Sequence, residues 1–280
     1  MTTGYLPPEL PKVKVLITVK TYPLPSHRYE ELVCTAGLLA DGKWIRIYPV
    51  PFRSLAYGKQ YSKYNWIEVD LVRNSNDFRP ESYRPKSEII NTVGSIGTAK
   101  GWAERKDIVL TEVFASMGTL IDLAKGETKK SLATLKPSEI TDFVVEEDER
   151  EWKPEWQEQL LQYRLFDLDE EGRGKLRRVV RKLPYKYSYV FLSEGDQRPH
   201  KLMIEDWEIG ALYWNCLARS GGDEQEANRM VRKKYFDEIA KTKDVYLFVG
   251  TTKQYHNVSP NPFVIIGVFY PPKSTQLSLF

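Results

Sequence analysis

Cysteine is scarce in this chain: Cys34 and Cys216 are the only two in 280 residues. That count excludes a disulfide framework, and two isolated thiols predict a reducing, cytoplasmic setting. Long apolar runs are missing too. The longest, FVIIGVF at 263–269, is the size of a buried strand and falls far short of the roughly 18–20 residues that span a bilayer. No membrane partner is expected. The first dozen residues carry prolines and lack the apolar stretch of a secretory leader. Several chemistry-bearing patterns are also absent: G-x-x-x-x-G-K-[ST], G-x-G-x-x-G, paired-cysteine zinc spacing and G-x-S-x-G. An ATP-driven motor, a dinucleotide oxidoreductase and a zinc finger are therefore disfavoured. Neither charge sign dominates, with 41 Lys plus Arg against 38 Asp plus Glu, so bulk charge neither demands nor forbids a nucleic acid.

The patterning predicts an α+β chain. VKVLITVKTYP (13–23), LVCTAGLLADGKWIRIYPV (32–50) and YNWIEVDLVRN (64–74) read as strands, and Asp41-Gly42 supplies a hairpin turn. A β-rich unit over 1–105, suited to a small barrel, follows from them. Helical spacing at Val109, Val113, Leu120 and Leu123, and a second helix from Pro154 through Tyr163, predict a helical connecting section over 106–175. Strands at 185–195, 244–252 and 262–270, with helices between, predict a mixed α/β unit over 176–270. Residues 271–280 read as a flexible tail.

Three constellations could carry chemistry. His200, Asp206 and Glu208 lie near one strand end and the following helix start, and His256 lies in the loop joining the last two strands. Gathered at one end of a sheet, the four would form a catalytic group, with Asp206 and Glu208 holding Mg²⁺ or Mn²⁺ through oxygen ligands for a metal-dependent nuclease. The plainer reading is that Asp206 caps the helix. Second, RGKLRRVVRKLPYK (173–186) holds seven basic residues and no acidic one, just after the acidic run EEDERE at 146–151. Lys175, Arg177, Arg178, Arg181 and Lys182 would track a phosphate backbone beside Tyr185, Tyr187 and Tyr189. Leu176, Val179, Val180 and Leu183 equally fit an amphipathic helix with a solvated basic face. Third, Trp44, Arg46 and Tyr48 share one face of a strand, a further candidate surface for DNA.

The end of the chain reads KSTQLSLF. Three large apolar residues, Leu277, Leu279 and Phe280, follow a proline-rich stem, where a terminus otherwise folds back or frays. Gln276, Leu277, Ser278, Leu279 and Phe280 together resemble the pentapeptide by which bacterial DNA polymerases and repair proteins dock on the sliding clamp. The resemblance covers five residues and leaves the rest of the chain unassigned. It implies a bacterial protein of DNA replication, repair or defence that the clamp delivers to DNA. A non-enzymatic clamp-binding adaptor or regulator is the alternative.

Overall fold

A computed structural model describes residues 6–25, 31–50, 52, 60–154 and 180–273. Its first half is built from β1 (Glu9–Lys20), β2 (Leu24–Pro25), β3 (Glu31–Leu38), β4 (Trp44–Val50), β5 (Asn65–Arg73) and β6 (Ser82–Ser95). Asp41-Gly42 does turn the β3–β4 hairpin: the Gly42 amide donates to Leu39 O at 2.9 Å, and Gly42 takes a φ of 79°, which favours glycine. Strand β1 is long enough to serve two neighbours. Its first part pairs with β5 and its second with β3, and the β1–β3 register shifts between Ile17 and Val19. The pairings β1-β3-β4-β6-β5-β1 close a five-stranded barrel. All are antiparallel except β4 with β6. Counting its five long strands in chain order, the ring runs 1-2-3-5-4, the Greek-key arrangement of an OB-type barrel.

The second half repeats that order. After α1 (Ala99–Val109), β7 (Val113–Phe114) and α2 (Met117–Lys125) come β8 (Leu132–Leu135) and β9 (Glu139–Glu147). Next are β10 (Tyr185–Leu192), β11 (His200–Met203), α3 (Trp207–Arg219) and α4 (Glu224–Arg232), which continues as a π-helical segment Lys233–Ala240. Strands β12 (Tyr246–Thr251) and β13 (Phe263–Phe269) follow. Strand β8 pairs with β12 and runs into β9, which pairs with β10, so the two act as one bent first strand. Strands β12 and β13 are antiparallel, as are β10 and β11. The ring closes through a parallel bridge between Ile204 and Ile265. The order is again 1-2-3-5-4, with helices α3 and α4 between the third and fourth strands.

These pairings do not confirm the helical section expected over 106–175. Within its described residues only α2 is a complete helix, and β8 and β9 occupy the stretch after it. The helical spacing from 107 to 125 is broken after Val109, and Ser116 caps α2 afresh by accepting from the Thr119 amide at 3.3 Å. The helix expected from Pro154 through Tyr163 lies outside the described residues.

Barrel strands ordinarily cover one face with apolar residues, whereas β1 and β4 cover two. Val15, Ile17, Ile45 and Ile47 fill the first barrel. Leu16, Val19 and Trp44, with Ala36 and Leu38, pack on Leu132, Phe248, Ile266 and Phe269 of the second. Trp44 meets Phe248 edge-on, with ring centroids 5.2 Å apart. At about 25 cal/mol per Å² of apolar surface, such an interface makes the barrels one packed body. A second tie runs from Tyr22, whose ring lies where a Cβ on Gly210 of α3 would clash at 2.4 Å. The Tyr22 hydroxyl accepts from Trp214 Nε1 at 2.8 Å and donates to Arg181 O at 2.7 Å. No helix among the described residues is long and apolar enough to cross a membrane.

Candidate nucleic-acid interface

Where the outward face of β4 passes the apolar contact, it enters a polar one. Arg46 is 3% exposed. It donates to Ser82 Oγ (3.1 Å), Ser131 Oγ (2.8 Å), Ser131 O (3.2 Å) and Thr251 O (3.4 Å). Glu81 accepts from the Ser131 amide and hydroxyl at 3.0 and 2.7 Å. Arg79 makes a paired contact with Asp77 at 2.9 and 2.6 Å and also donates to Thr251 O. Burial alone would raise the Asp77 carboxyl, but the Arg79 hydrogen bonds and charge outweigh it and hold the pKa at about 2. His256 is fully buried at the same junction. Its Nδ1 lies 2.7 Å from Thr251 Oγ1 and its Nε2 2.9 Å from Ala124 O. A carbonyl only accepts, so Nε2 carries the proton and Nδ1 accepts from Thr251. Burial, reinforced by the Arg79 charge, lowers the His256 pKa below its ordinary value.

This network floors a cleft of about 1060 Å³ between the barrels, a size suited to a small organic ligand or a nucleotide. Its walls include Tyr48 near the end of β4, Asn74 to Asp77 and Arg79 from the β5–β6 loop, Arg84 and Lys86 from β6, Thr251 at the end of β12, and Thr252 to Gln254 from the β12–β13 loop. Those two loops join the fourth and fifth strands of their barrels, which OB-type proteins use to bind oligonucleotides and oligosaccharides. Tyr48 in this lining is an exposed ring, and the two loops carry Phe78 and Tyr255 beside their lining residues. Tyr48 is 38% exposed, Phe78 42% and Tyr255 52%. Phe78 stands edge-on to His256 at 5.1 Å, with the Lys129 ammonium 5.9 Å from its ring centroid. Arg84 and Lys253 have no ion-pair partner among the described residues, which leaves two cations for an anion.

The residues singled out from the sequence fall into separate surroundings. Trp44, Arg46 and Tyr48 do share a face, but that face meets the second barrel: Trp44 and Arg46 are buried there, Arg46 in the floor of the cleft, and Tyr48 is exposed. Asp206 is 1% exposed. It accepts from the Glu208 amide at 3.1 Å as the cap of α3, and from Lys63 Nζ at 2.8 and 2.7 Å. Lys63 also reaches Glu208 at 3.1 Å. Burial would lower the Lys63 pKa, but the Asp206 and Glu208 carboxylates outweigh it and raise it, so the ammonium is retained. His200 lies 3.1 Å from Asp196 instead. The four residues expected to converge thus have three separate sets of partners. Among the described residues no group of three or more His, Cys, Asp or Glu is disposed to hold a metal ion.

The basic stretch is partly neutralised where it is described. Strand pairing sets Lys186 opposite Glu146. Asp148 takes Lys182 and Lys186, both at 2.9 Å, and Arg181 stacks on Trp214 at 3.8 Å. Lys175, Arg177 and Arg178 lie outside the described residues, as does the whole of Gln276–Phe280. In chain order those three basic residues belong to the β9–β10 connection, between the first and second strands of the second barrel. Phe78, Tyr255, Arg84 and Lys253 were not singled out from the sequence. A lone aromatic inside each of the polar stretches NSNDFRPES and TTKQYHN is the signal that marks the first two, since a ring in a turn-rich loop has no strand face to bury it.

Two OB-type barrels sharing one cleft define the class: a tandem-barrel protein whose two loops between fourth and fifth strands both line that cleft. Residues 11–111 match a domain of unknown function, DUF8758, and residues 113–280 match a second, DUF8757. The latter takes in more than half of the chain, which belongs to the DUF8757 family. No curated protein matches the sequence.

Proposed function

We propose that this protein binds single-stranded nucleic acid in the cleft between its barrels, and that residues 276–280 deliver it to DNA by docking on the bacterial sliding clamp. A fold alone does not assign a function. The observation that carries the reading is an exposed ring, Tyr48, lining the cleft with Arg84 and Lys253, while the loops that border it carry two further exposed rings, Phe78 and Tyr255. Rings stack on any unpaired base, and cations hold the backbone between them. A duplex keeps its bases stacked inside and offers such rings nothing.

Fluorescence anisotropy with a thymine-rich 12-mer tests this. Binding is expected to weaken steeply with salt through counterion release. Arg84→Glu with Lys253→Glu flattens that slope, and Tyr48→Ala weakens the complex by about 1–3 kcal/mol, the worth of one stacked base. Equal affinity for the corresponding duplex overturns the single-strand assignment. Absence of binding to every nucleic acid at low salt favours a clamp-binding adaptor that touches only proteins.

A further inference from the structure

Glu205 sits at the inner wall of the cleft, held by its backbone on both sides. Its amide donates to Ile265 O at 2.8 Å and its carbonyl accepts from the Tyr22 amide at 3.1 Å, so the residue is fixed at the seam where the barrels meet. Neighbouring carboxylates are all satisfied: Asp77 by Arg79, Glu81 by Ser131, and Asp206 by Lys63. The Glu205 carboxylate has no hydrogen bond or ion pair among the described residues. Burial raises its pKa, and the nearby Cys34 thiol, itself pushed up by burial, brings no positive charge. A partly buried carboxylate left bare in a binding cleft calls for a partner from outside.

The partner's chemistry follows from what a carboxylate does. Ionised, it only accepts, through two oxygens side by side. A phosphate is repelled by it. Thymine and uracil offer one N–H between two carbonyls, and adenine and cytosine offer an amino group beside a ring nitrogen that also accepts. Guanine alone presents two adjacent donors, N1–H and the N2 amino group, on its pairing edge. We propose that the cleft is a guanine site in which both Glu205 oxygens accept from that edge while Tyr48 covers the ring. This rests on the single-strand reading for the way the base arrives, but the pocket itself could be filled by a free nucleotide.

The test uses the full chain, thymine-rich 12-mers carrying one central guanine, inosine, adenine or cytosine, and GMP and IMP by calorimetry. Guanine is expected to tighten binding over thymine at least about fivefold, the lower bound for a paired base contact, and inosine, which lacks the N2 amino group, to lose most of that gain. Glu205→Gln abolishes the preference and leaves the all-thymine 12-mer within about twofold. Guanine and inosine binding alike overturns the site without recourse to any variant, as does a Glu205→Gln protein that weakens every oligomer equally. If GMP binds more tightly than IMP while no oligomer binds, the guanine site stands and the single-strand reading falls. If neither GMP nor any oligomer binds, both fall.

Discussion

Arg46, on the third strand of the first barrel, donates to the hydroxyl of Ser131, the residue just before the first strand of the second barrel, at 2.8 Å. The same guanidinium reaches the carbonyls of Ser131 and Thr251, and Glu81 grips Ser131 from the other side. A planar cation with fixed donors can hold several acceptors at once where an ammonium cannot. The apolar contact around Trp44 and Phe248 brings the barrels together, and this network sets their register, which in turn shapes the cleft.

Arg46→Met removes the charge while keeping most of the stem. The Ser82 and Ser131 hydroxyls and the Ser131 and Thr251 carbonyls then lose their shared donor, and a buried acceptor left unsatisfied costs about 1–3 kcal/mol. Urea denaturation is expected to show a loss of that size. A split into two transitions would show in addition that Arg46 couples the barrels as one cooperative unit. A loss below about 1 kcal/mol, the scale of an exposed pair, would mean the network is solvent-screened.

Much of the fold was legible locally, and little of it globally. The strands of the first half and the Asp41-Gly42 turn follow from alternation and glycine chemistry, each set by a few neighbouring residues. Closure of the barrels depends on pairings such as Arg46 with Ser82 and Ile204 with Ile265, which no local period encodes. The strand β8 inside the expected helical section is not legible for a related reason: LATL is a four-residue strand buried along its whole length, so it shows no alternation. Trp44, Arg46 and Tyr48 were rightly grouped on one face, but the sequence does not say what that face meets. The acidic and basic runs looked segregated along the chain, and antiparallel pairing of β9 with β10 placed them side by side.

The reading of Asp206 as a cap or a metal ligand leads to a prediction with a definite sign. Asp206→Asn keeps an oxygen for the Glu208 amide, so the cap survives. It removes the charge facing Lys63, whose side chain is 9% exposed, and leaves Glu208 as the remaining anion. A loss of about 3–5 kcal/mol in chemical denaturation is expected from stranding that ammonium. Lys63→Met combined with Asp206→Asn should recover part of it, because both charges are then gone. Failure of the double variant to recover any stability would sink the ion-pair account.

Acid should weaken the barrel junction in two steps. The His256 pKa is depressed below its ordinary 6.5, so the unfolded chain binds that proton more readily. Its contribution is constant above about pH 6.5, and stability falls as the pH drops below that toward the folded-state value. The Asp77 pKa is depressed from 3.8 to about 2, so its contribution is present above about pH 4 and is lost as the pH falls through 2. Denaturation midpoints measured from pH 8 downward should be flat, then decline below about 6.5, then decline again below about 4. His256→Gln, which keeps a donor and an acceptor, should remove the first decline and leave the second. A first decline that persists in that variant would assign it to another group.

The tail is the other half of the proposed function and can be tested apart from the barrels. Burial of Leu277, Leu279 and Phe280 in a groove offers roughly 1.5–3 kcal/mol each. Ordering a free segment takes back several kcal/mol, which leaves a constant in the micromolar range or weaker, about −8 kcal/mol. A peptide of residues 271–280 should therefore bind a bacterial sliding clamp with that strength in calorimetry. Leu279→Ala with Phe280→Ala should weaken it more than tenfold, since about 1.4 kcal/mol is one decade. Such an affinity exchanges readily, yet tethering raises the local concentration of the cleft beside exposed single strands. Removal of residues 276–280 should accordingly leave binding to a free 12-mer unchanged and abolish only the gain seen when the clamp is loaded on the same DNA. If the peptide gives no heat at clamp concentrations of about 100 µM, well above a micromolar constant, the clamp is not what delivers this protein, and the cleft must find its ligand unaided.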